Sequence, residues 1–113
     1  MHELSLCGSI YEIAARAAAG RTVTVIHLQI GRLRQIVPET LRYCWTLVSD
    51  QTDLSGSQLE VESVPVTLRC LDCDSTTTLV DLFVVLCTQC GGNHVKVASG
   101  EEFMLTSVEL AEV

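Results

Sequence analysis

Two cysteine pairs, Cys70-Leu-Asp-Cys73 and Cys87-Thr-Gln-Cys90, constrain this chain more than any other feature. Each Cys-x2-Cys segment can close as a knuckle that points both sulfurs the same way. Two such knuckles bring four thiolates to the corners of a tetrahedron about 2.3 Å from one Zn2+. The thirteen residues between them, 74–86, let a strand leave the first knuckle and return to the second, the plan of a zinc ribbon. Rubredoxin-like iron and dithiol redox chemistry are the competing uses of this spacing; structural zinc on Cys70, Cys73, Cys87 and Cys90 is favoured over both.

Energetics support that choice. A module of about 35 residues (65–99) is too small to hold itself together by apolar burial alone. Structural zinc contributes an apparent ~10–16 kcal/mol in small fingers, comparable to the whole stability of a small domain. Four thiolates also fill the coordination sphere and leave no open position for catalysis. No histidine directly follows either knuckle, since Asp74 and Gly91 stand there. His94 is the nearest candidate for a second metal role, and an exposed strand residue is its plainer reading. The stretch Leu79–Leu86 is more apolar than a free-standing ribbon needs. It leaves open a choice between packing on the first domain and offering a docking edge.

Six cysteines in 113 residues also bear on the compartment. Residues 4–19 carry Glu12 and Arg16 and no basic leader, so no secretory signal is expected. No run approaches the roughly 18 apolar residues of a membrane span. The cytoplasm is therefore the expected location, and cysteine pairs there read as metal ligands rather than disulfides. A net charge of −7 and a pI near 4.7 argue against nucleic acid or an anionic membrane as partner.

Along the chain, Leu6, Ile10, Ile13, Ala14 and Ala17 predict a helix over 5–19, with Ser5 as N-cap and Gly20 as stop. Cys7 reads as a small buried hydrophobe. Residues 22–30 predict a strand ended by Gly31, with His27 an unpromising ligand. Pro38 opens a helix to Ser49 whose buried stripe would be Leu41, Cys44, Trp45 and Val48. Residues 58–64 alternate as a half-buried strand, and 102–111 form another strand returning to the same sheet. The expected fold class is α+β: a small sheet of about three strands with two helices, plus an inserted zinc-ribbon-like module carrying the four cysteines. The expected domains are 1–64 with 100–113, and the zinc-binding insertion 65–99.

The opening residues Met1-His2-Glu3 hold a different chemistry. A free α-amine, the amide nitrogen of residue 2 and the His2 imidazole close a five-membered and a six-membered chelate ring on one ion. Three in-plane nitrogens, one an amide that must lose its proton, suit square-planar Ni(II) or Cu(II) rather than Zn(II). Glu3 can add a carboxylate or its own amide nitrogen, and a helix starting just beyond it favours an anion there. The bland alternative is a start codon followed by a solvated histidine.

These pieces together resemble the HypA/HybF family of nickel metallochaperones for [NiFe]-hydrogenase maturation. The resemblance spans Met1-His2-Glu3-Leu4-Ser5-Leu6, Gly31-x-Leu33 with Pro38-Glu39-x-Leu41, Leu59-x-Val61 with Pro65, both knuckles, and Ser107-Val108-Glu109-Leu110. It implies transient Ni(II) cargo on Met1, His2 and Glu3, structural zinc on the four cysteines, and no enzymatic activity. It also implies partners: a HypB-type GTPase, a hydrogenase large-subunit precursor and, for some members, urease maturation. The apolar stretch 79–86 departs from the more polar loop expected of the family. A zinc-ribbon adaptor without nickel transfer is the rival reading.

Overall fold

The computed structural model describes residues 3–112. In chain order these form α1 (Glu3–Ala18), β1 (Val23–Gly31), a 3-10 turn (Arg32–Arg34), α2 (Pro38–Ser49) and β2 (Gln58–Val64). The chain continues with β3 (Thr67–Cys70), β4 (Thr76–Thr78), β5 (Val95–Ser99) and β6 (Phe103–Leu110). One sheet has the order β2-β1-β6 and the other β4-β3-β5. The class is α+β with a cysteine module, as expected. The chain divides into two compact units, Met1–Gln29 with Ile36–Glu62 and Phe103–Val113, and Ile30–Gln35 with Ser63–Glu102. No described helix is long and apolar enough to cross a membrane.

In the first unit α1 packs against α2 and β6. The helix begins at Glu3, so Ser5 lies inside its first turn and is not the N-cap expected of it. Its buried row is Cys7, Ile10, Ala14 and Ala18. Ile13, expected inside, is 48% exposed. Two overlapping rows satisfy the helical period here, and the one containing Cys7 and Ala18 rather than Ile13 is buried. Ala19 and Gly20, with φ of 50° and 87°, turn left-handed and end the helix.

Pro38 opens α2 as its first residue. The helix buries Leu41, Trp45 and Ser49, while Cys44 and Val48 are only half-buried. The expected stripe therefore turns toward Ser49, whose hydroxyl donates to Trp45 O at 2.7 Å. The Trp45 indole donates to Ser57 O at 3.2 Å and lies 3.1 Å from Ser57 Oγ, so its buried N–H is satisfied. The Cys7 thiol donates to Leu41 O at 3.6 Å, tying α1 to α2. In β1, Ile26, Leu28 and Ile30 are buried, and His27, between them, is not.

In the second unit β3 is central, antiparallel to β4 (Leu68 opposite Thr77) and to β5 (Leu68 opposite Val97). Its core is Val66, Leu68 and Leu79, with Leu33, Leu82, Val95 and Val97 packed around it. The strand expected between the knuckles is only Thr76–Thr78. Beyond it the apolar stretch splits: Leu79 turns inward, while Val80 and Phe83 are 100% and 93% exposed. Gly31 N–H donates to Glu102 O at 2.7 Å and Leu33 N–H to Gly100 O at 2.9 Å. A Cβ on Gly31 would stand 1.9 Å from Gly100 O, so the two chain segments meet backbone to backbone.

Two outcomes follow from this packing. Gly31→Ala forces the backbone apart and should cost about 2–4 kcal/mol, the upper range for overpacking, read from urea denaturation. Burial first, then nearby Cys44 and Glu3, push the Cys7 thiol from 9.0 up to about 11. The folded protein thus holds this proton more tightly than the unfolded chain does. Its contribution should be whole below pH 9 and lost as pH rises toward 11. Stability measured against pH in wild type and Cys7→Ala should diverge below that window and converge above it.

Candidate metal centre

The centre begins where β3 ends: Cys70 is the last residue of that strand and the first sulfur of the site. The chain then turns sharply. Cys73 N–H donates to Cys70 Sγ at 3.5 Å, Asp74 N–H to Cys70 O at 3.0 Å, and Cys70 N–H to Ser75 O at 2.9 Å. The second knuckle repeats the bonds of the leading cysteine's N–H and C=O, while the amide that reaches its sulfur comes one residue earlier. Gln89 N–H donates to Cys87 Sγ at 3.4 Å, Gly91 N–H to Cys87 O at 2.9 Å, and Cys87 N–H to Gly92 O at 2.9 Å. Asp74 and Gly91 hold the same left-handed place, with φ of 64° and 72°. Glycine takes that conformation freely. Asp74 adds a side chain whose Oδ1 accepts from Arg69 Nε at 2.9 Å, which anchors the first turn to β3.

The sulfurs of Cys70, Cys73, Cys87 and Cys90 all lie within 4.8 Å of one another. Across the knuckles, Cys70 and Cys90 are 3.6 Å apart and Cys73 and Cys87 are 3.5 Å apart. A tetrahedron with metal–sulfur bonds of about 2.3 Å has edges of about 3.8 Å, so the cluster has the size a zinc ion needs. Cys70 and Cys87 are buried while Cys73 and Cys90 are exposed. Each knuckle thus offers one inner and one outer ligand.

The thiols perturb each other in opposite directions. The Ser75 hydroxyl and then backbone amides bring Cys87 down to about 5 against its burial, and Ser75 lowers Cys73 as well. The Gly92 amide pulls Cys90 down too, but the neighbouring sulfurs of Cys70 and Cys87 outweigh it and push that thiol up to about 12. Sulfurs this close share protons because they cannot all be thiolates unaided. A divalent cation would reverse that balance and be held by all four in their deprotonated form. The donor set fits zinc: soft, tetrahedral and closed.

Other residues singled out from the sequence lie elsewhere. His94 Nδ1 is 3.0 Å from Asp72 Oδ1, on the surface, and is no member of the sulfur cluster. His27 Nε2 is 2.6 Å from Glu109 Oε2, beside a pocket of about 300 Å3 also lined by Glu60 and Glu62. Among the described residues only the four cysteines form a group able to hold a metal. Glu3 is the first residue of α1, half-buried; Met1 and His2 lie outside the described residues. Ser75 went unnoticed in the sequence, although its Oγ lies 2.9 Å from Cys73 Sγ and 3.3 Å from Cys87 Sγ. A serine two positions past a knuckle carries no signal until the fold turns it inward.

A family model described as "HypA: Hydrogenase/urease nickel incorporation, metallochaperone, hypA" matches residues 1–110. A hydrogenase maturation factor HypA of Roseiflexus sp. (strain RS-1) is 38% identical over 112 residues, covering 96% of this chain and 91% of that protein. Its counterpart in Geotalea uraniireducens (strain Rf4) is 37% identical over 110 residues, covering 97% and 99%. The fold is similar to the solution structure of the Ni metallochaperone HypA from Helicobacter pylori, with a TM-score of 0.68 at 20% identity over 97% of each chain. The chain therefore belongs to the HypA family of nickel-incorporation metallochaperones, which are maturation factors and not enzymes.

Proposed function

We propose that this protein takes up Ni(II) at its amino terminus and delivers it to a hydrogenase large-subunit precursor, while zinc on Cys70, Cys73, Cys87 and Cys90 keeps the second unit folded. The observation that carries the reading is the family match, which starts at residue 1 and so takes in Met1-His2-Glu3. In this reading the first unit is the nickel-binding lobe and the second the zinc-binding lobe. The α-amine, the His2 amide and the His2 imidazole supply three nitrogens in one plane, and Glu3 the fourth donor. A HypB-type GTPase and, in some settings, the urease maturation proteins are the further partners. The work is done in the cytoplasm, where thiols stay reduced.

A carrier must bind firmly enough to load and weakly enough to unload. A micromolar constant, about −8.2 kcal/mol, suits a small site open to solvent. Copper outranks nickel at such nitrogen donors, so metal supply and partner docking provide the selectivity. One observation favours a second reading, a zinc-ribbon adaptor without nickel transfer: Val80 and Phe83 stand almost fully exposed beside the knuckles.

Nickel titration of untagged protein separates the two. His2→Ala should weaken Ni(II) binding at least about a hundredfold, more than about 2.7 kcal/mol, with zinc content and circular dichroism unchanged. Equal uptake by wild type and variant would leave the adaptor. Calorimetry at pH 7.5 and 6.0 should show weaker nickel binding at the lower value, because imidazole, amine and amide must all lose protons and free histidine titrates near about 6.5. Chelation of zinc should unfold the second unit, seen as loss of protection from proteolysis between residues 63 and 102, since the metal supplies about 10–16 kcal/mol.

A further inference from the structure

The two knuckles share the main-chain bonds made by the N–H and C=O of their leading cysteines, and against that common frame one difference in side chain is informative. Ser75 and Gly92 occupy the same place: each carbonyl accepts from the amide of the leading cysteine at 2.9 Å. At the second knuckle the position is bare, and a Cβ on Gly92 would lie 3.3 Å from Cys90 Sγ. At the first knuckle the same position carries a hydroxyl, 2.9 Å from Cys73 Sγ and 3.3 Å from Cys87 Sγ. Ser75 reaches across the cluster and touches one sulfur from each knuckle. Among the described residues no hydroxyl serves Cys70 or Cys90 in this way.

We propose that Ser75 is a positioning residue of the four-cysteine centre, its hydroxyl donating to the Cys73 thiolate and bracing it against Cys87. A hydroxyl has one proton, so it serves one sulfur at a time, and Cys73 is the nearer. Cys73 is also an exposed ligand, the kind most open to protons and electrophiles. A zinc ion with four thiolates has a net charge of −2, added to a chain already at −7. An O–H···S bond draws negative charge off the sulfur, favours thiolate over thiol, and fixes the ligand's direction. The result is an unequal centre, with the Ser75 hydroxyl on the Cys73–Cys87 edge and no hydroxyl at Cys70 or Cys90 among the described residues.

The proposal rests on the reading of the cluster as a zinc site, and the test separates the two. Zinc content is measured first. Zinc competition with a chromophoric chelator then follows from pH 5 to 8 on wild type, Ser75→Ala and Ser75→Thr, with circular dichroism of the zinc-loaded proteins. Ser75→Ala keeps the carbonyl that receives the Cys70 amide and so should fold. It should bind zinc about ten- to a hundredfold more weakly. Its pH midpoint of metal release should move upward, and alkylation of Cys73 should quicken. In Co(II)-substituted protein its sulfur-to-metal charge-transfer band should shift to lower energy. Ser75→Thr, which restores the hydroxyl, should return all four readouts toward wild type. Unchanged affinity and pH midpoint in Ser75→Ala, or a threonine variant that behaves like alanine, overturns the proposal while the zinc reading stands. Wild type that holds no zinc overturns both.

Discussion

Four sulfurs held within 4.8 Å of one another form the contact on which the second unit depends. Two unit charges about 4 Å apart repel by about 4 kcal/mol near a protein surface, so a bare tetrathiolate opposes its own assembly. The chain meets this with donors: the amides of Cys73 and Gln89 point at the leading sulfurs, and the Ser75 hydroxyl lies within reach of Cys73 and, farther off, Cys87. A divalent cation held by the four sulfurs would complete the balance. The apolar core beneath, Val66, Leu68 and Leu79, is too small to impose this geometry alone.

The first unit is built on different physics. Its two helices pack together, α1 burying Cys7, Ile10, Ala14 and Ala18 and α2 burying Leu41, Trp45 and Ser49. Here a cysteine acts as a compact hydrophobe whose thiol finds a carbonyl, and burial keeps it protonated. The same element thus plays opposite parts in one chain: a reluctant acid between helices, a ready thiolate in a knuckle. Environment decides which, through desolvation in one case and hydrogen bonds in the other.

Much of the fold could be read from sequence because its signals are local. Pro38 opens α2 where its fixed φ and missing amide belong, and Gln58–Val64 alternates as a strand must. The knuckles announce themselves by spacing. Other features escaped because they depend on a partner far along the chain. The choice between two apolar rows on α1 was made by what packs against it. Residues 30–35, placed with the nickel lobe on the sequence, belong to the second unit because Leu33 joins the Val66–Leu68–Leu79 core and bonds Gly100. Ser75 was invisible for the same reason.

Sequence alone determined the element types, the two cysteine pairs that come together and the family, because residue chemistry and spacing carry those without reference to the rest of the chain. Tertiary structure alone decided which face of α1 is inside, why Gly31 tolerates no side chain, and which hydroxyl braces the sulfurs. These are matters of distance between residues tens of positions apart. Only a folded backbone, with its close approaches and left-handed turns, brings such residues within reach of each other.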